Sequence, residues 1–297
     1  MSAPSLSVQT VLYGTPLDQI WQLIRSVAAA ARPWAERGGR VELVIGDSSP
    51  IPLSAEAVDE IREGGIDRGL ADCSYVFFDA NLGSGGGHNR VAEHSGGEVI
   101  FVLNPDTYLA PTAIRVLGDA LLADPSIGAA EARQIPMEHP KDYDPLTGDT
   151  SWVSGACFMT PRRVFEELGG FDAEYFPLYC DDVDYSWRLR AHGYRLVHVP
   201  DAVAFHDKRL DPDGAMVVSD TEIESGSLAR LFLACRWSRP DILEETVDAL
   251  RGSDHPAHGR ALDAYLERES AGRLPTPLVR AADVAEFIEG NYARHRF

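Results

Sequence analysis

The chain carries little positive charge. Its 297 residues include 27 Lys and Arg against 46 Asp and Glu, a formal net charge of −19. That balance argues against general binding to a phosphate backbone, so nucleic acid is not an expected partner. It argues equally against an anionic membrane surface as the main partner. An anionic ligand would need something to overcome this field locally, and a bound divalent cation is the simplest candidate. Cysteine is scarce too. Cys73, Cys157, Cys180 and Cys235 are widely spaced, with no CxxC pair. Buried free thiols in a reducing compartment are therefore expected, rather than disulfides or a zinc site, and the expected location is cytoplasmic. No apolar run approaches the ~18 residues of a transmembrane helix. Met1 to Ser7 has no basic stretch ahead of an apolar core, so no secretory signal is expected. Internal repeats and low-complexity segments are missing as well. The 44% hydrophobic content is enough for a sizeable core, in one large domain or one domain with an appended lobe.

The central stretch is Glu98 to Asp106, which reads E-V-I-F-V-L-N-P-D. Val99 to Leu103 is unbroken, apolar and too short for a helix. That is the pattern of a strand buried on both faces of a parallel sheet. Pro105 has no N–H for a ladder, so the strand should stop there. Asn104 and Asp106 are then presented at the carboxyl end of a central strand, where open α/β sheets bind ligands. An ordinary Pro turn would give the same three residues.

Residues 6–106 alternate between the two periods. Leu6 to Tyr13, Val41 to Ile45 and Ser74 to Phe78 read as strands. Thr15-Pro16 opens a helix, with Thr15 as cap and Pro16 at the first helical position. Leu17, Ile20, Trp21, Ile24, Val27 and Ala28 give that helix one apolar face. Ser54 to Glu63 reads as a second helix. The alternation implies an α/β fold with a doubly wound, mostly parallel sheet. After a polar, Pro-rich loop from Gln134 to Asp149, Ser151 to Thr160 reads as a strand and Pro161 to Leu168 as a short helix. Asp182 to His192 reads as helix and Arg195 to Phe205 as a further strand. Strand signals fade beyond residue 210. Leu228 to Trp237, Asp241 to Leu250 and Ala281 to Ile288 look helical, Arg251 to Gly259 looks like a polar linker, and Arg294 to Phe297 is a basic tail.

Two clusters carry chemistry. The first is Asn81-Leu82-Gly83-Ser84-Gly85-Gly86-Gly87-His88-Asn89. It follows a strand and opens a helix, but no Lys-Ser/Thr follows, so it is not a P-loop. Nor does it fit GxGxxG, because His88 stands where the third glycine belongs. What survives is that a ligand or another backbone can approach closely. The second cluster is Asp181, Asp182 and Asp184. A helix N-terminus favours one or two acidic residues. Asp184 and Arg188, spaced i and i+4, should pair structurally. The remaining adjacent carboxylates would raise one another's pKa, which suits a general base near neutral pH.

In order along the chain, these landmarks are Asp47, Asn81-x-Gly to Asn89, Leu103-Asn104-Pro105-Asp106, Trp152-x-Ser154-Gly155-Ala156, and Gly169-Gly170-Phe171-Asp172 with Asp181-Asp182-Val183-Asp184, Arg188 and His206. Together they resemble inverting nucleotide-sugar glycosyltransferases of the GT-A fold, family two, particularly the rhamnosyltransferase-like and galactofuranosyltransferase-like branches. The resemblance runs from about Ser7 to His206.

It implies a GT-A (Rossmann-like) catalytic domain over residues 1–209. Residues 210–297 lie outside it, as an acceptor-side lid, a homo-oligomer contact or a cap on the core. The implied donor is UDP- or dTDP-linked, and the acceptor a carbohydrate, lipid-linked or small-molecule hydroxyl. Asp47 would accept a hydrogen bond from the donor's pyrimidine. Tyr13, Asn81, Gly83 and Asn89 would lie against the donor. Asn104 and Asp106 would contact ribose and a diphosphate-bound Mg²⁺ or Mn²⁺. His206 would be a further metal ligand, Trp152 and Gly155 would shape the acceptor pocket, and Asp182, beside Asp181, would be the base. Two departures stand out. The usual Asp-Asn after the second strand is Asp47-Ser48 here, and the usual Glu before the base is Asp181. A nucleotidyltransferase would need a basic residue in its first loop, and Tyr13-Gly14-Thr15 has none. A silent nucleotide-sugar binder would be marked by loss of Asp106 or Asp182, and both are present.

Overall fold

The computed structural model describes residues 2–208, 213, 217–278 and 284–293. Strands β1 (Leu6–Leu12), β2 (Val41–Asp47) and β3 (Asp72–Phe77) alternate with helices α1 (Leu17–Ala35), α2 (Ala55–Asp67) and α3 (Gly83–Glu93). There follow β4 (Val99–Leu103), β5 (Thr107–Leu109), α4 (Ala113–Ala123), β6 (Ile127–Ile135) and β7 (Cys157–Pro161). The sheet-bearing part closes with α5 (Arg162–Glu167), α6 (Asp181–Ala191) and β8 (Arg195–His206). Three more helices come after it: α7 (Asp220–Arg236), α8 (Pro240–Arg251) and α9 (Pro256–Ser270).

The strands form one sheet in the order β3-β2-β1-β4-β7-β6-β8-β5. Pairs β1/β2, β2/β3, β1/β4 and β6/β8 are parallel, whereas β7 runs antiparallel to β4 and β6, and β5 antiparallel to β8. Strand order reverses between β1 and β4, which leaves a crevice at their carboxyl ends.

The apolar run of β4 is buried on both faces, as its sequence requires. Val99, Phe101 and Leu103 join the core under α1 and α4, while Ile100 and Val102 join the opposite core with Phe165 of α5 and Tyr185 of α6. A third core unites Trp152, Phe176, Val183 and Trp187 with Leu231 and Phe232 of α7, Leu250 of α8 and Tyr265 of α9. The C-terminal helices are thus packed onto the sheet-bearing part through shared apolar side chains.

Several elements differ from the sequence reading. Helix α1 starts at Leu17 with Pro16 as its cap residue and no side-chain cap bond, so the Thr15 cap does not form. Leu17 itself is exposed. Of Ser151 to Thr160, only the part from Cys157 is strand, because Ser154 and Gly155 spend their backbone groups in the site described below. The polar linker is shorter than expected, since α9 begins at Pro256. Residues 281–283 and the basic tail 294–297 lie outside the described residues. Ala285 to Phe287 form no helix, and Ile288 instead makes a bridge with Asn291. All four cysteines are free thiols. Among the described residues no helix is long and apolar enough to cross a membrane.

Candidate active site

A cleft of about 270 Å³ opens at the carboxyl end of β4. Asn104 and Asp106 line it from the turn after β4, Gly155 from the segment before β7, Asp181 and Asp182 from the start of α6, and His206 from the end of β8.

The start of α6 is set by unusual backbone. Tyr179 and Cys180 are both left-handed, with φ of 67° and 58°. Neither is glycine, so each costs about 1–3 kcal/mol, a strain typical of functional sites. The turn they make places Asp181 and Asp182 in the first turn of the helix, where the dipole favours carboxylates. Asp182 Oδ2 accepts a hydrogen bond from the Gly155 N–H at 2.7 Å, and Oδ1 one from the Val183 N–H at 2.8 Å. Asp182 stays half-buried while Asp181 is only 7% exposed. The Asp181 pKa is pushed up to about 7, first by burial and then by the charge of Asp182, against a hydrogen bond from Ser84. Asp184 points elsewhere. It pairs with Arg188 at 2.7 Å, and Arg188 also donates to the Leu168 and Gly170 carbonyls. The expected structural pair therefore anchors the Gly169-Gly170 turn.

Asp106 and His206 come together from separate strands. His206 Nδ1 meets Gln134 Oε1 at 2.8 Å, so Nε2 is the ring nitrogen left for the cleft. That Nε2 lies 3.4 Å from Asp106 Oδ1, which is buried without a hydrogen-bond partner. A carboxylate oxygen and an imidazole nitrogen facing each other, the ring backed by an amide, are a donor set that fits a divalent cation. Among the described residues no third His, Cys, Asp or Glu joins them.

The donor-binding candidates divide. Tyr13, 62% exposed, and Asn81 line a hollow of about 140 Å³ with Ser48, Ser49 and Asp79, off the ends of β1 to β3. Asp47 sits behind it, accepting from the Ser49 N–H at 2.8 Å and the Tyr75 hydroxyl at 2.6 Å. Ser48, in place of the usual Asn, accepts from the Leu82 N–H at 3.3 Å. Gly83 and Asn89 are outside both cavities. Asn89 clamps Phe171, donating to its carbonyl and accepting from its N–H, both at 2.8 Å. The glycine cluster is close to another backbone. A Cβ on Gly83, whose φ is +67°, would lie 2.2 Å from the Pro177 carbonyl oxygen, and one on Gly85 would lie 2.9 Å from that of Phe176. The cluster lets α3 press on the segment that leads into Asp181.

Trp152 is fully buried and does not touch the cleft. It acts from behind, packing against Tyr292 and His139, which do line it. The sequence reading missed the group that holds this segment. Glu131 of β6 pairs with Lys141, and its Oε2 accepts from the Ser154 N–H at 2.8 Å. Lys141 donates to the Trp152 carbonyl at 2.8 Å and lies 4.2 Å over the Trp152 ring. His198 approaches Glu131 at 3.0 Å. Burial alone would raise the Glu131 pKa, but the charges of Lys141 and His198 hold it below the usual range. The only sequence signal was a lone Glu in an alanine-rich apolar run.

This arrangement, a GT-A fold with its carboxylates at the sheet's carboxyl end, defines a class. Residues 7–171, more than half of the chain, match the family described as Glycosyl transferase family 2, and the chain belongs to that family. It is similar to the N-acetylglucosaminyl-diphospho-decaprenol L-rhamnosyltransferase of Mycobacterium tuberculosis (strain ATCC 25618 / H37Rv), 30% identical over 175 aligned positions that cover 43% of this chain. The same alignment covers 57% of that relative, so the chain spans little more than half its length. Rhamnosyltransferase WbbL of Escherichia coli (strain K12) is 40% identical over 55 residues, 18% of this chain and 19% of that one. Among solved structures, GalNAc-T7 with UDP, GalNAc and Mn²⁺ aligns with a TM-score of 0.65 at 16% identity, over 92% of this chain and 56% of that one. The mannosyltransferase PcManGT from Pyrobaculum calidifontis with GDP-Man and Mn²⁺ aligns at 0.56 and 16% identity, over 92% and 89%.

Proposed function

We propose that this protein transfers a sugar from a UDP- or dTDP-linked donor to an acceptor hydroxyl, with inversion and with Asp182 as general base. The observation that carries the reading is the Asp182 carboxylate, held in the cleft by the Gly155 N–H on the same cavity wall as the Asp106–His206 pair. In this reading Asp182 takes the acceptor hydroxyl's proton as that oxygen forms its bond to the anomeric carbon. The bond from that carbon to the diphosphate breaks on the opposite face, and the nucleoside diphosphate leaves with the electron pair. Asp106 and His206 would hold Mg²⁺ or Mn²⁺, which when bound supplies Lewis-acid neutralisation of the leaving diphosphate. Tyr13, Asn81 and Asn104 would contact the nucleoside. Residues 1–209 form the donor-binding and catalytic part, and 210–297 the acceptor side. The sugar transfer named for the relatives and the Mn²⁺ in two solved neighbours support this assignment.

The test is Asp182→Asn, which is nearly isosteric. Losing a general base typically costs about 10²–10⁴ in rate, so kcat should fall by that factor. Donor affinity should change little, because the donor contacts lie on other residues. Near-normal kcat in this variant, or a larger loss in Asp181→Asn, would remove Asp182 from the role. A product that keeps the donor's anomeric configuration would remove the single displacement itself.

A further inference from the structure

A second cavity, of about 330 Å³, lies among the C-terminal helices. Ser227 and Arg230 of α7, Thr246 and Leu250 of α8, and Ser253 and His258 form half of its wall. Among the described residues no carboxylate lines it, in a chain with 46 acidic residues. Arg230 Nε is buried with no hydrogen-bond partner, and no ion pair under 4.0 Å involves this side chain among the described residues. Glu245 of α8 is near enough to act on the Arg230 charge but is not part of the wall. His258 is fixed through Nδ1 to Ser253 Oγ at 2.7 Å. Burial, then the neighbouring His255, hold its pKa below the usual value, so it offers a hydrogen bond, not a charge. The cavity is next to the catalytic cleft. Tyr179, Cys180 and Tyr292 line both, and Tyr179-Cys180 is the strained pair that leads into Asp181.

Arg230 is half-buried with its Nε sealed from solvent, and only Glu245, beyond ion-pair distance, offsets its charge, so an anion in the cavity would be favoured. The planar fork of Arg suits a bidentate oxyanion, and the hydroxyls and imidazole around it can serve additional oxygens. We infer that this cavity is an acceptor-side subsite for a phosphoryl group, with Arg230 as its counter-ion. The inference rests on the reading of the adjoining cleft as the transfer site and deepens it. The acceptor carries a phosphate or diphosphate that docks among α7 and α8 while its hydroxyl reaches Asp182. The donor's diphosphate belongs to the other wall, at Asp106 and His206.

Binding alone tests this, without turnover. The full chain is titrated calorimetrically with inorganic pyrophosphate in the presence of EDTA. Wild type should bind, and Arg230→Met should weaken binding by about tenfold or more, as expected for a lost charge-assisted bidentate contact. Arg230→Lys, which keeps the charge but loses the fork, should bind between wild type and Arg230→Met, and Asp106→Asn should stay within about threefold of wild type. Should Arg230→Met fail to fold by circular dichroism, Ser227→Val, which takes a hydroxyl from the wall and puts methyls in its place, decides instead and should weaken binding. Equal binding by wild type and Arg230→Met (or Ser227→Val), no binding by wild type, or loss that follows Asp106→Asn each overturns the proposal. Malonate binding more tightly than pyrophosphate would also overturn it, in favour of a carboxylate. A normal kcat in Asp182→Asn would sink the catalytic reading while leaving this titration to stand or fall by itself.

Discussion

At the scale of the residue, the pair Asp181–Asp182 divides one task. Two adjacent carboxylates titrate as a unit, and the buried member keeps the proton longer. Asp181, pushed up to about 7 and nearly sealed from solvent, is that member. The consequence for stability has a definite sign. The folded pKa lies above the unfolded value of 3.8, so the folded state holds an extra proton between them. The stability this confers is complete below the unfolded value and is lost as pH rises through about 7. Asp181→Asn is therefore expected to be more stable than wild type at about pH 8, by roughly 1–3 kcal/mol, and no more stable at about pH 3. Thermal melts at both pH values check it, and an equal shift at both would show that ionisation is not the cause. Asp106, Asp182, Gly155 and His206 were legible because ordered motifs mark them, and all four line one cleft. For Asn89 and Trp152 a motif gave position but not direction. The Asn89 amide satisfies the Phe171 backbone, and the Trp152 ring lies within the apolar core.

Elements inherit their placement from such contacts. The alternation over residues 6–106 made the parallel half of the sheet readable, because buried parallel strands are written as apolar runs. Strand β6 was not readable in that way. It carries Glu131 and Gln134 in an otherwise small-residue run, and both point into buried polar contacts that only the fold supplies. The loop after β6 looked like a polar connector, yet it returns Lys141 to Glu131 beneath Ser154. Removing one partner of a buried pair strands the other charge and costs about 3–5 kcal/mol. Lys141→Met should thus lower stability by that order and lower kcat as well, because the Ser154–Gly155 segment loses its support. Urea unfolding of Lys141→Met, Glu131→Gln and the double variant measures this. The double variant should recover part of the loss, and strictly additive losses would show that the two side chains do not act as a pair.

For the whole molecule, the change of character near residue 210 was visible in the sequence, but its meaning was not. Fading strand signals suit a lid, an oligomer contact or a cap alike. The structure joins α7, α8 and α9 to the catalytic half through one apolar core and through polar ties. Arg236 pairs with Asp172, the Tyr179 hydroxyl donates to Glu222 at 2.9 Å, and Arg190 donates to the Val284 carbonyl at 2.6 Å. The same helices supply Glu222 to the cleft, and Tyr292 joins it from beyond them. Truncation after Lys208 would uncover Trp152, Phe176, Val183 and Trp187, all fully buried in the intact chain. Burying a large apolar side chain is worth about 1.5–3 kcal/mol. Four of them approach the roughly 5–15 kcal/mol by which a domain is stable at all. The truncated chain is therefore expected to lose cooperative unfolding and to behave as an expanded species by circular dichroism and gel filtration. A truncated protein that is folded, monomeric and fully active on acceptor would show the opposite. The helices would then be neither cap nor acceptor wall, and the catalytic half would be complete without them.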